Sequence, residues 1–255
     1  MVDLKKAYIA QAICILNHAL DKRVRYRQEE AESIFGTAFQ TQSQQTNVPD
    51  DFEPSAPRLI FQNGHRQLML SQSLVQLVLG FENSEKTLDQ QMDIIFKNIA
   101  DIHSRAQKFQ PSGWTGEVGV IFVVNVPSDL GRDALSENVF SRFIKLERLY
   151  DTASVALKVG FKTKENLYLN FEIDVYELRK TIFDPGLQPK AIDISAIPVH
   201  EMGYSFKVDV NNKPRLTGGM DTRSELVAVT SEIKQFIDGK FQEWIKFDAL
   251  GNAQK

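Results

Sequence analysis

From Val155 to Val175 apolar side chains fall on every second residue: Val155, Leu157, Val159 and Phe161, then Leu167, Leu169, Phe171, Ile173 and Val175. A period of two puts alternate side chains on one face, which suits strands and not a helix. A turn at Lys164-Glu165-Asn166 sets Phe161 opposite Leu169, Val159 opposite Phe171 and Leu157 opposite Ile173, with Lys158 opposite Glu172 on the other face. A slip of one residue would set apolar side chains against polar ones, so this register is expected. Asn166 is the residue of the turn best suited to a left-handed conformation.

Other stretches read as strands too. Tyr8–Leu16 lacks helix caps and is rich in β-branched residues. Leu59–Gln62 and Gln67–Leu70 flank Asn63-Gly64, which predicts a type I′ hairpin turn. The second of these strands continues through Val75, Leu77, Leu79 and Phe81, past a bulge or a bend at Ser71-Gln72-Ser73. Val118–Val126 is apolar at nearly every position, which predicts a central strand covered on both faces. Tyr204, Phe206, Val208 and Val210 alternate before Asn211-Asn212-Lys213-Pro214.

Helical spacing appears in three places. Leu88, Met92, Ile95, Ile99, Ile102, Ala106 and Phe109 predict a helix over about 85–109, with Ser84 as cap. Leu135, Val139, Phe143, Leu146 and Tyr150 predict another over about 133–150. Thr222 and Glu225 suggest a capping box for a last helix that buries Leu226, Val229, Ile233, Phe236, Ile237, Phe241 and Trp244. Residues 37–57, rich in polar side chains and with Pro49, Pro54 and Pro57, read as a polar loop or linker. The expected class is α+β, with mostly antiparallel sheet packed against long amphipathic helices. Residues 1–255 form a single domain in this reading. Strands followed by a helix recur, which suggests two similar β-rich halves, about 1–126 and 127–255.

The succession of an Arg-led strand (Arg66–Phe81), a long helix (Glu85–Phe109), a strand ending in Asn (Val120–Val126, with Asn125) and a C-terminal helix with late aromatics (Thr222–Phe247) resembles a sporadically distributed, uncharacterised bacterial family of about 250 residues. Phe122 and Val123 stand where that family has an Arg-Tyr pair. The resemblance implies a bacterial protein and brings no activity with it.

The chemistry-bearing residues are sparse. A net charge of −3 gives no general attraction to nucleic acid or anionic membrane. The one cysteine, Cys14, lies among apolar residues, where an inert thiol with a raised pKa is expected. His18, His65, His103 and His200 make no metal-binding spacing, and no nucleophile elbow or phosphate-binding loop occurs. Gly218-Gly219 reads as a permissive turn into the last helix. No catalytic, cofactor or metal residue is therefore expected.

Three candidate binding surfaces remain. Arg23, Arg25 and Arg27 would share one side of an extended segment, with Tyr26 able to stack on a base; a charge-protected edge strand explains the same residues. Arg142, Lys145 and Arg148 would share one side of the second helix. Glu172, Asp174 and Tyr176 would share a strand face and could line a polar groove, although Lys158 already faces Glu172. The expectation is a non-enzymatic cytoplasmic protein that binds a macromolecule, a protein before a nucleic acid, with no membrane span and no signal peptide. The alternatives are an enzyme acting on a small or nucleotide-like substrate in that groove and a nucleic-acid-binding protein.

Overall fold

Among the described residues, nine strands hydrogen-bond into one sheet in which every pairing is antiparallel. The computed structural model describes residues 6–82, 86–144, 146–147, 149–180, 197–216 and 221–245. The strands are β1 (Tyr8–His18), β2 (Gln44–Gln45), β3 (Pro57–Asn63), β4 (Arg66–Ser71), β5 (Leu74–Gly80), β6 (Trp114–Pro127), β7 (Leu157–Lys162), β8 (Tyr168–Arg179) and β9 (Val199–Asn211). Their order across the sheet is β2-β3-β4-β5-β1-β6-β9-β8-β7. Four helices accompany them: α1 (Gln28–Phe39), α2 (Leu88–Phe109), α3 (Arg132–Phe143) and α4 (Thr222–Phe236). A π-helical turn, Ile237–Phe241, and a last turn, Gln242–Ile245, follow α4. The protein is α+β, and no helix among the described residues is long and apolar enough to cross a membrane.

All four helices cover the same sheet face. Phe35 and Phe39 of α1 meet Phe61 of β3, Phe96 of α2 stacks on Phe122 of β6, Asn138 of α3 bonds Tyr204 of β9, and Phe236 of α4 meets Phe171 of β8. Those strand side chains alternate with outward ones, and Ala12, Cys14 and Leu16 of β1 lie on the same inner face. Cys14 sits between Leu77 and Val120, its thiol pushed up to about 12 by burial.

The β7–β8 hairpin has the expected register, with Val159 opposite Phe171 and Lys158 opposite Glu172. Asn166 takes the left-handed position, at φ 60°. Other expectations need correction. Asn63 stays in β3, where its side chain donates to the Phe39 carbonyl at 2.8 Å. The turn residues are Gly64-His65 and only Gly64 has positive φ, 56°, which excludes a type I′ turn. At Ser71–Ser73 the chain reverses rather than bulging. The Ser71 hydroxyl accepts the Ser73 and Leu74 amides, at 3.2 and 2.9 Å, and so makes the turn that separates β4 from β5.

The helices differ from expectation at their ends. Thr87 and Gln90 form the capping box of α2, while Ser84 lies outside the described residues. Helix α3 stops at Phe143 because Ile144 is extended; Leu146 and Tyr150 are exposed instead of continuing a buried stripe. With only Leu135, Ser136 and Val139 buried, α3 has little packing to sustain more turns. Asp221, not Thr222, caps α4 by accepting the Arg223 and Ser224 amides. Residues 24–27 form a 3-10 turn rather than an extended strand, and they lead into α1, a helix not among those expected. Residues read as a polar linker include the end of α1 and all of β2, which pairs with β3.

Candidate functional site

Among the described residues no helix packs on the other face of the sheet, and part of that face departs from the usual pattern. A sheet with one solvated face should alternate apolar and polar side chains. Strands β8 and β9 obey this, presenting Asn170, Glu172, Asp174, Lys207 and Asp209 outward. Strands β1, β4, β5 and β6 do not. Ile13, Ile15, Met69, Val78, Ile121 and Val123 all point outward and are half-exposed. The register makes them neighbours: Ile13 pairs with both Val78 and Ile121, and Met69 pairs with Gln76, itself paired with Ile15. Between them lie glutamines, Gln11, Gln67 and Gln76, and no charged side chain. The central strand β6 is therefore buried on one face only, not on both as its apolar run suggests.

A polar cluster closes one end of this face. Tyr8, Asn125 and Tyr176 stand outward on β1, β6 and β8, and Glu201 stands outward on β9. The Tyr8 and Tyr176 hydroxyls both donate to Glu201 Oε1, each at 2.7 Å, and the Asn125 amide donates to the Tyr8 oxygen at 3.3 Å. Burial, with help from the Glu201 carboxylate, pushes the Tyr8 phenol up to about 12 and raises that of Tyr176 as well. Both phenols therefore stay protonated near neutrality and act as fixed donors, not as nucleophiles or bases. Beside the cluster, Gly203 lets β9 approach β6 closely: a Cβ there would lie 2.1 Å from the Val126 carbonyl oxygen. A cleft of about 620 Å³ opens next to Glu201, lined among others by Lys6, Ser128, Asp129, Gly131 and His200.

The expected site residues are thus divided. Tyr176 joins the cluster, but Glu172 and Asp174 do not: Glu172 lies between Lys158 and Lys207, and Asp174 accepts the amide of Val175. Tyr8, Asn125 and Glu201 were missed, being spread over three strands. Asn125 and Gly203, a polar residue and a glycine inside apolar strands, are the signals that could have located the cluster.

The arginine segment serves the protein's own structure. Arg25 donates to Asp50 Oδ1 at 3.1 Å and to the carbonyls of Thr46 and Val48. Arg27 bridges Asp21 and Glu30 at 2.9 and 2.7 Å, donates to the Phe109 carbonyl, and lies 4.0 Å over the Phe109 ring. Tyr26 is exposed and donates to Asp50 Oδ2 at 3.1 Å, while Arg23 is exposed with Asp21 at 3.6 Å. Of the second basic group, Arg142 ends α3, whereas Lys145 and Arg148 lie outside the described residues. No group of acidic, histidine or cysteine side chains among the described residues could hold a metal ion. The chain matches no protein-family model, no curated protein and no solved structure.

Proposed function

We propose that the protein is a non-catalytic cytoplasmic protein that binds a partner protein across the helix-free face of its sheet. One observation carries this reading: the contiguous, uncharged and half-exposed patch of Ile13, Ile15, Val78, Ile121 and Val123. Single exposed apolar residues are ordinary, whereas a connected patch rimmed by polar side chains marks an interface. The patch spans the three gaps between β4, β5, β1 and β6, about 14 Å, and six residues of strand add about 20 Å, so it supplies the apolar centre of an interface whose rim is polar. The lack of charge favours a partner that presents one apolar, uncharged side, such as that of an amphipathic helix.

The test is photo-crosslinking in cells from a reactive residue in place of Ile121, with one in place of Asn170 as control. The expected result is one adduct mass from position 121, lost when Ile13→Glu is added, and none from position 170. A folded protein giving no adduct at 121, or the same adducts from both positions, would overturn the reading.

Tyr176, Tyr8, Glu201 and the adjoining cleft favour a second reading, in which a small molecule occupies that cleft. Lys6→Ala and His200→Ala would then weaken binding without changing the melt; a screen of small metabolites by thermal shift that finds no hit tells against it. The order of elements also supports an internal duplication. The series β1-α1-β3-β4-β5-α2 is followed by β6-α3-β7-β8-β9-α4, and the sheet orders β3-β4-β5-β1 and β6-β9-β8-β7 mirror each other about the β1–β6 pair. Ile13 and Ile121, paired with each other, would lie at the axis relating the two units.

A further inference from the structure

We propose that the outer edge of β7 is a docking strand for an extended acidic segment of a partner protein, a surface separate from the apolar patch of the open face. Strand β7 is the last in the sheet, and β8 is its one neighbour among the described residues. The Thr163 amide bonds the Leu167 carbonyl, which fixes the alternation along the hairpin. Phe161, Val159 and Leu157 therefore bond toward β8, and the backbone N–H and C=O of Lys158, Gly160 and Lys162 point away from the sheet. These groups offer a ready ladder for one more strand.

The two sides of that ladder state what the added strand should carry. On the helix side, Val159 is half-buried and Phe161 is 41% exposed, although its ring lies 6.1 Å from that of Trp244. The core thus runs out one strand early, and an apolar side chain beside Phe161 would extend it. On the open side, Lys158 and Lys162 are exposed and neither has an ion-pair partner among the described residues. Their rows are short of acid: Lys158, Glu172 and Lys207 share one, and Lys162, Tyr168 and Asn211 another. A segment alternating apolar and acidic residues matches both sides.

Edge lysines also protect sheets from unwanted pairing, and here the two roles agree. A second copy pairing antiparallel through β7 about Gly160 would set Lys158 against Lys162 twice, so the edge repels itself while accepting an acidic strand. The opposite edge is a strand of only two residues: Gln44 and Gln45 pair with β3, and Thr46 bonds the Arg58 and Pro57 carbonyls at 3.1 and 2.6 Å, the second through its hydroxyl.

The experiment titrates the full chain with two capped, fluorescein-labelled octapeptides, one alternating Val and Glu, the other Val and Lys, and follows anisotropy. The acidic peptide should bind about tenfold or more tightly than the basic one, the size expected when two cross-strand pairs change from unlike to like charge. The K158E/K162E variant should reverse that order, K158A/K162A should abolish it, and Ile13→Glu should leave it unchanged. Absence of binding by the acidic peptide, equal binding of the two, or a preference untouched by K158E/K162E would each overturn the proposal. None of these results depends on whether the open face binds a partner.

Discussion

On one side of the central β1–β6 pair, arginines fasten α1 in addition to its Phe35 and Phe39 rings; on the other, α4 and the turns after it are fastened mainly by aromatic rings. Arg27 enters α1 through Asp21, Glu30 and the Phe109 carbonyl, Arg105 reaches from α2 to the Ile34 carbonyl at 2.6 Å, and Arg66 reaches from β4 to that of Ala38 at 3.3 Å. Across the sheet, Phe171 meets Phe206, Phe236 and Trp244 at ring separations of 5.8, 5.9 and 4.9 Å. The outward surfaces contrast as well, apolar and glutamine-rich beside α1's strands, charged beside α4's. Guanidinium bonds are set by geometry and need no periodic spacing, whereas ring packing recurs with the period of the element that carries it. The ring-packed side is therefore the legible one.

That contrast can be broken most sharply at Phe171. Phe171→Ala should cost ~3–5 kcal/mol in a denaturant melt, since it removes the ring on which three others converge. Trp244→Ala, at a half-buried ring, should cost about half as much. A Phe171→Ala melt overlaying that of the parent would mean the cluster is not what holds α4.

On the other side, Arg27→Ala should cost ~1–3 kcal/mol, because it leaves Asp21 Oδ2 and the Phe109 carbonyl without the donor that Arg27 supplies. Arg27→Lys should recover only part of this, as an ammonium cannot bridge the same acceptors. Full recovery by lysine would reduce the clamp to a simple charge effect.

Acid should then separate the two sides. The Arg27 guanidinium holds the Glu30 carboxyl below its ordinary range. Burial alone would raise that of Asp21, but the Arg23 amide and Arg27 bring it below as well. Depressed folded-state pKa values contribute stability that is present above about 4.5 and lost as pH falls through the folded values. The Ser224 and Arg223 amides hold the α4 cap, Asp221, low in the same way, so hydrogen exchange at falling pH should deprotect α1 and the first turn of α4 before the rest of α4; simultaneous loss throughout would show that the two sides open as one unit.

The smallest change in stability is expected on the open face. Ile13→Gln should move the melt by less than ~1 kcal/mol, because the side chain is already half in water. The same change should lower the yield of the adduct formed from position 121. A large loss of stability would instead make the patch part of the core.

The register of β7 and β8 was readable because both faces of that hairpin carry distinct side chains, and the stripe of α2 because its spacing persists to Phe109. Helix α1 was not, since it buries only Ala31, Phe35 and Phe39 among glutamines and glutamates and has no side-chain cap. Strand β6 is central as expected, yet an unbroken apolar run reads the same whether its second face is covered or open. The Tyr8–Glu201 bond joins residues 193 positions apart, so only the fold could bring that cluster together.

Cys14 has a use beyond packing. It is 3% exposed in the middle strand pair, and a thiol of pKa near 12 holds almost no thiolate at neutral pH. An aromatic disulfide reagent can reach it only when the helices over the inner face lift or the central strands part. Its labelling rate is thus a built-in clock for the opening of the core at the sheet's centre, readable by absorbance on the unlabelled protein.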